Sequence, residues 1–144
     1  RLEEKRLRLP AWAYYKPRKR YDASVILDHY EASLCKDGGY VMGLTNKDIY
    51  MEKENNGKKV KWGIMGLTNR VGGHCVIIST KRGTQRDINK VHLIMHEMGH
   101  AFGLRHCKDI NCLMHAYSGS DRFGTLNSFC PKCKKALIQK GWSL

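Results

Sequence analysis

Long apolar runs and acidic residues are both scarce in this sequence. No stretch of 18 apolar residues occurs, so the chain predicts no transmembrane helix. No secretory signal is visible, but the chain begins at Arg1 rather than methionine, which makes this absence weak evidence for a cytoplasmic protein. Clustered cysteines of the metal-binding kind also favour a reducing compartment.

Acidic residues number 13 against 26 lysines and arginines, which gives a formal net charge of +13. The basic residues gather in segments 1–20 and 132–135. Such a charge can attract nucleic acid, anionic lipid or acidic substrates. A solvated basic surface is the favoured interpretation, because the sequence contains no recognised nucleic-acid motif. At 144 residues the chain predicts a single domain, 1–144, and we expect a monomer.

The stretch from His96 to His106 carries the pattern H-E-x-x-H-x-x-G-x-x-H. Four residues of an α-helix turn roughly 400°, so His96 and His100 project from one face and can share a zinc ion. Gly103 suits the end of the helix, where the chain reverses and brings back His106 as third ligand. Three ligands leave one position open, where Glu97 can activate a water on the zinc.

The helix is predicted independently of the metal pattern. Thr84 is a candidate N-cap of a capping box, and His92 stands one turn before His96. His92 is a rival ligand, although packing or support of a ligand suits it better. Apolar residues recur at helical spacing and predict a core-facing stripe, namely Ile88, Val91, Met95, Met98 and Phe102.

Four of the six cysteines form two short hooks, C-x4-C and C-x-x-C, made by Cys107, Cys112, Cys130 and Cys133. Four thiolates leave no open position and are typical of a structural zinc, so the chain would hold two zinc ions. Two disulfides in a secreted protein are the alternative. Cys35 and Cys75 are predicted to be small buried hydrophobic residues.

The remaining pattern alternates strands and helices. The predicted helices are Tyr21–Cys35, the histidine helix and a last one near Pro131–Lys140. The segment Met-Gly-Leu-Thr-Asn occurs at 42–46 and 65–69, and we interpret the copies as two similar strand-to-turn junctions. Apolar and aromatic runs predict strands at Leu9–Tyr15, Tyr40–Leu44, Asp48–Met51, Val60–Leu67 and His74–Thr80.

In this order of features the chain resembles the archaemetzincin family of metzincin zinc peptidases. The resemblance rests on the histidine pattern, the four cysteines, Met114 in the position of a Met-turn, and the segments 41–46 and 64–67. It implies an α/β fold, a mixed β-sheet packed against the active-site helix, with a Met-turn and a C-terminal helix tied by the four-cysteine zinc site. Tyr117 is a candidate for the tyrosine that follows the Met-turn in some metzincins. His115 is expected to be a loop residue or a support for a ligand.

These features predict a zinc-dependent metallopeptidase. His96, His100 and His106 would bind catalytic zinc, Glu97 would be the general base, and the cysteines would bind structural zinc. The peptide or protein substrate would lie along an exposed sheet edge, for which Trp62–Leu67 is our candidate. A zinc-stabilised basic module that binds nucleic acid or another anionic partner, with a non-catalytic histidine site, is the alternative. Glu97 argues against it, because a structural site needs no base.

Overall fold

The computed structural model describes residues 3–35, 37–82, 87–116 and 128–144. In these ranges three α-helices occur, α1 (Ala23–Leu34), α2 (Asp87–Ala101) and α3 (Pro131–Gln139). The strands of the same ranges are β1 (Tyr14–Tyr15), β2 (Arg20–Asp22), β3 (Val41–Thr45), β4 (Ile49–Asn55), β5 (Lys58–Ile64), β6 (Gly66–Thr68) and β7 (Cys75–Ser79). Among the helices of these ranges, none could span a membrane.

The strands form two mixed sheets, which confirms the predicted α/β class but with two sheets instead of one. One sheet has the order β1-β2-β4-β5, and the other has the order β3-β7-β6. The predicted strand Val60–Leu67 is wrong as a single element. It divides at Met65 into β5, which pairs with β4, and β6, which pairs with β7. Periodicity does not show this division, because the partner strand changes while the alternation continues.

The N-terminal prediction also needs correction. The expected strand Leu9–Tyr15 is a 3-10 turn over Ala11–Ala13 followed by the two-residue β1. Pro10 precedes the turn and its carbonyl accepts a hydrogen bond from the Ala13 N–H, at 3.1 Å. Proline fixes its own φ near −65°, which favours turns over strands.

Helix α1 begins two residues later than predicted because Asp22 caps it. The Asp22 carboxylate accepts hydrogen bonds from the N–H groups of Ser24 and Val25, at 3.0 and 3.3 Å. Such a cap satisfies N–H groups that have no partner within the helix. Tyr21, which was predicted as helical, therefore lies in β2 instead.

Strand β7 is the centre of the smaller sheet and is buried along its whole length. The two Met-Gly-Leu-Thr-Asn copies lie on either side of it, β3 parallel and β6 antiparallel. Each copy ends its strand at the threonine, which confirms two similar strand-to-turn junctions. Ile77 belongs to the core formed with α1, whereas Val76 and Ile78 pack with Leu93 and Ala101 of α2. One face of the smaller sheet therefore packs against helix α2, which carries the histidines.

Candidate active site and metal centres

Helix α2 ends at Ala101, and the chain reverses at Gly103, the glycine expected from the sequence. Gly103 has a φ of 95°, and its N–H donates to the His100 carbonyl at 3.0 Å. The Leu104 N–H donates to the Gly99 carbonyl at 2.9 Å. The positive φ reverses the chain at little cost because glycine has no Cβ. As a result His106 returns towards the helix face that carries His96 and His100.

His96 and His100 face each other through their Nε2 atoms, 3.2 Å apart. His96 Nδ1 hydrogen-bonds the Leu113 carbonyl at 2.5 Å, and His100 Nδ1 hydrogen-bonds the Leu104 carbonyl at 2.7 Å. A carbonyl only accepts, so each Nδ1 carries the ring proton and each Nε2 presents a lone pair. Two lone pairs at this distance repel unless a cation lies between them.

The spacing of the histidines suits zinc. Ligands about 2.0–2.1 Å from a tetrahedral zinc lie about 3.3 Å from each other, close to the observed 3.2 Å. His106 joins the group, and one ring nitrogen of each of the three lies within 4.8 Å of the others. Burial lowers the pKa of His96 to about 4 and also lowers the pKa of His100 and His106. Neutral imidazoles, the form that binds metal, are therefore favoured.

Glu97 is buried beside this group and is held by Thr68. The Thr68 hydroxyl lies 2.8 Å from the Glu97 backbone carbonyl and 3.1 Å from its Oε2. Burial raises the pKa of Glu97 to about 7, although the hydrogen bonds from Thr68 lower it. The backbone of β6 approaches closely too, since a Cβ added at Gly66 would lie 2.8 Å from Glu97 Cγ. The carboxylate thus has one narrow position between α2 and β6.

The four predicted cysteines converge at a second centre. The sulfurs of Cys107, Cys112, Cys130 and Cys133 all lie within 4.8 Å of one another. A tetrahedral zinc with Zn–S bonds of about 2.3 Å has sulfur–sulfur edges of about 3.8 Å. The Cys107 and Cys130 sulfurs are 3.8 Å apart, so the set has the size that zinc requires. This distance is well beyond that of a disulfide, and all six cysteines of the chain are free.

Backbone N–H groups point at these sulfurs. Cys112 Sγ accepts from the N–H groups of Met114 and Cys130, at 3.4 and 3.3 Å, and Cys107 Sγ accepts from Asp109 at 3.5 Å. Burial raises the pKa of the Cys112 and Cys133 thiols overall. At Cys130 burial also raises the pKa, but hydrogen bonds from Cys133 and the neighbouring thiols outweigh it and lower the pKa overall. Such donors stabilise the thiolate, which is the form that binds metal.

The loop that follows α2 contributes residues to both centres. Cys107 directly follows His106, and its N–H donates to the Met114 carbonyl at 2.8 Å. Met114 itself is fully buried. The His115 ring donates from Nδ1 to the Cys107 carbonyl, 3.0 Å away. One loop therefore supplies His106 to one centre and Cys107 to the other.

The structure brings together the three histidines, Glu97 and the four cysteines that the sequence singled out. The rival ligand His92 is buried but lies outside the histidine group. Thr84 and Tyr117 lie outside the described residues. Sequence reasoning missed Thr68, whose only local signal is its place in the second Met-Gly-Leu-Thr-Asn copy. A contact with a residue 29 positions away leaves no trace in local spacing.

Helix α2 packs with its histidines on a mixed sheet, and buried Glu97 lies between the two, which points to the class of zinc metallopeptidases. The comparisons with known proteins specify the family. The sequence model of peptidase family M54 matches residues 24–139. The chain therefore belongs to peptidase family M54.

Relatives and solved structures agree with this assignment. The archaemetzincin of Methanopyrus kandleri is 33% identical over 95% of this chain and 77% of its own length. Its crystal structure superposes with a TM-score of 0.72 and 32% identity, covering 92% of this chain and 71% of that one. The archaemetzincin of Archaeoglobus fulgidus, solved with malonate, gives a TM-score of 0.68 at 28% identity, covering 88% and 75%. The predicted family, hydrolase class and peptide substrate are confirmed.

Proposed function

We propose that this peptidase hydrolyses peptide bonds with His96, His100 and His106 as ligands of a catalytic zinc and Glu97 as general base. The observation that carries the proposal is the pair of Nε2 atoms, 3.2 Å apart, whose opposite ring nitrogens are held by backbone carbonyls. An arrangement of this kind positions lone pairs for a cation before it binds. His106 is the most exposed of the three and closes the ligand set from the loop.

Zinc at this position would polarise the scissile carbonyl and lower the pKa of water towards about 7. Glu97 accepts the proton of the attacking water and returns it to the leaving amine. Thr68 keeps the Glu97 carboxylate in one orientation through its 3.1 Å hydrogen bond. Burial raises the pKa of Glu97 to about 7, which suits a base near neutral pH. A bound dication would lower this pKa, because it favours the charged carboxylate.

The substrate is proposed to lie extended beside β5 and β6, over the segment Trp62–Leu67. In the described residues β5 pairs only with β4 and β6 only with β7, so each has one unpaired edge. Gly66 of strand β6 lies directly against Glu97, which supports a substrate position beside the proposed base. A peptide added as a further strand would have its backbone oriented by main-chain hydrogen bonds. Because Gly66 has no side chain, the Glu97 side chain fits against strand β6 without a steric clash.

A second zinc is proposed at the four cysteines, with a structural role. Its support is the tetrahedral spacing of the sulfurs and the N–H groups directed at them. Cys130 and Cys133 belong to the start of α3, and Cys107 and Cys112 to the loop after α2. Zinc would join these segments and fix the loop that carries His106. We further propose that residues 1–144 act as one domain, since this centre unites α2 with α3.

Cleavage of an unbiased peptide library by zinc-loaded protein, followed by mass spectrometry, tests the catalytic proposal. The parent should cut, while Glu97→Gln, which keeps shape and removes the base, should lose at least about 100-fold in rate. Zinc content and the unfolding transition of the variant serve as controls for folding. Equal cleavage by parent and variant would remove Glu97 from the mechanism. The cleavage sites also distinguish trimming of ends from internal cuts.

A further inference from the structure

Two cysteines lie outside both metal centres and touch each other. The sulfurs of Cys35 and Cys75 are 3.3 Å apart although the residues stand 40 positions apart in sequence. Cys35 follows the last residue of α1, and Cys75 is the first residue of β7. The sequence predicts each of them as a small buried hydrophobic residue. The structure instead makes them a pair of thiols in van der Waals contact.

The two thiols differ in access. Cys75 is fully buried, while Cys35 is half-buried at the helix end. Burial raises the pKa of Cys75 to about 12, with a further contribution from Cys35. A reagent from solvent therefore reacts with Cys35 first. Buried Cys75 can react only with a group already attached to Cys35. This is the geometry of an attacking thiol backed by a resolving thiol.

We propose that Cys35 and Cys75 are an oxidisable pair that closes to an intramolecular disulfide on reaction with a small disulfide such as oxidised glutathione. The Cys35 thiolate attacks one sulfur of the reagent, breaks its S–S bond and releases one thiolate. The Cys75 thiol then loses its proton and attacks Cys35 Sγ, releasing the second thiolate. The two protein thiols are oxidised by two electrons, and the reagent takes up those electrons and the two protons as two thiols.

Closure requires little movement. A disulfide is about 2.05 Å long, so the sulfurs must approach each other by only about 1.2 Å. The new bond would join α1 to β7 at a junction that Glu31 already holds, through hydrogen bonds to Asn69, Arg70 and the His74 N–H. We therefore expect oxidation to strengthen an existing contact between the first helix and the central strand, without distorting it.

The test is thiol mapping of the zinc-loaded protein titrated with oxidised glutathione. After each step the free thiols are alkylated, the protein is digested, and all six cysteines are located by mass spectrometry. We expect the Cys35–Cys75 cross-linked peptide to form before any of the four clustered cysteines is modified. The melting temperature should rise on the order of 10 °C and return to its starting value after reduction with dithiothreitol.

Two variants make the result decisive. Cys35→Ser should show neither the cross-link nor the rise in melting temperature, and Cys75→Ala should stop at a mixed disulfide on Cys35. The proposal is overturned if the parent keeps only glutathione on Cys35, or if both thiols stay open to alkylation after the clustered cysteines have reacted. It is equally overturned if Cys35→Ser gains the same stability on oxidation. No readout depends on peptidase activity.

Discussion

Gly99 of helix α2 lies directly against the sulfur of Met114. A Cβ added at Gly99 would stand 2.5 Å from Met114 Sδ and 3.2 Å from its Cε. Met114 is fully buried, and the residue before it, Leu113, supplies the carbonyl that holds His96 Nδ1. The close approach of helix and loop therefore sets the position of a predicted zinc ligand. A glycine that weakens the helix locally is explained by this contact.

The Gly99–Met114 contact predicts a coupled pair of substitutions. Gly99→Ala should destabilise the protein by about 1–3 kcal/mol through overpacking, despite the better helix propensity of alanine. Met114→Ala alone should cost about 2–5 kcal/mol, because it leaves a cavity. The double variant should lose less unfolding free energy than the two single variants lose together, because the smaller side chain at 114 leaves room for the Cβ at 99. Urea unfolding of the four proteins measures the coupling, and simple additivity would contradict it.

Thr68 is predicted to position the base without taking part in the reaction. Thr68→Val removes the hydroxyl, whose single proton is shared between the Glu97 backbone carbonyl and Oε2, and should lower kcat/KM about 10- to 100-fold. The hydroxyl lowers the pKa of Glu97, so its removal should move the acidic limb of the pH–rate profile to higher pH. Thr68→Ser keeps the hydroxyl and should keep the profile of the parent. A rate loss with an unmoved acidic limb would leave Thr68 a purely structural role.

Metal content should separate the two proposed centres. His106→Ala should retain the structural zinc and the fold but lose the catalytic zinc and activity. Cys133→Ser should lose the other ion and several kcal/mol of stability, because metal binding there is part of folding. Cys35→Ser, outside both centres, should bind as much zinc as the parent. Elemental analysis after gel filtration, combined with thermal unfolding, measures both quantities. Loss of both ions in His106→Ala would show that the centres are not independent.

Asp48 is predicted to stabilise the fold in a pH-dependent way. It lies 2.6 Å from Arg82 Nε and 2.9 Å from Arg20 Nε. Burial raises the pKa of Asp48, but Arg82 and Arg20 outweigh burial and hold it below the usual 3.8. The stabilisation is therefore present above the unfolded-state pKa and is lost as the pH falls through the lower folded-state pKa. Asp48→Asn should cost about 1–3 kcal/mol at pH 7.

The same variant gives the pH test. The difference in unfolding free energy between parent and Asp48→Asn should shrink steadily below about pH 4. Zinc release at low pH affects both proteins equally and leaves their difference unchanged. Glu52→Gln, which removes an exposed partner of Lys61, should change stability little at any pH. A difference for Asp48→Asn that stays constant down to pH 3 would assign its effect to packing instead of charge.

Substrate binding along β5 and β6 predicts local protection of the backbone. A peptide hydroxamate bound at the zinc should slow amide hydrogen exchange in Trp62–Leu67, because added-strand pairing occupies the free N–H groups. Strand β7 is paired on both sides and should exchange at an unchanged rate. Hydrogen-exchange mass spectrometry with and without the inhibitor makes the comparison. Unchanged exchange in Trp62–Leu67 would place the substrate elsewhere.

Local sequence spacing was sufficient to predict the metal-ligand patterns of this protein. The four-residue step from His96 to His100 puts both rings on one helix face whatever surrounds the helix, and Gly103 turns the chain back. The short cysteine hooks likewise carry their ligand geometry within a few residues. Helix α3 begins at Pro131 as expected, since proline suits the first helical position. These features depend on neighbours in sequence, so the sequence alone was sufficient to predict them.

Tertiary structure decided the contacts that surround the proposed site. Thr68 reaches Glu97, Gly66 leaves room for it, and Met114 fits against Gly99, all across sequence separations that periodicity does not register. The division of one predicted strand between two sheets, and the pairing of Cys35 with Cys75, arise in the same way. Each depends on which surfaces pack together, and that is settled by burial over the whole chain, not by any single segment.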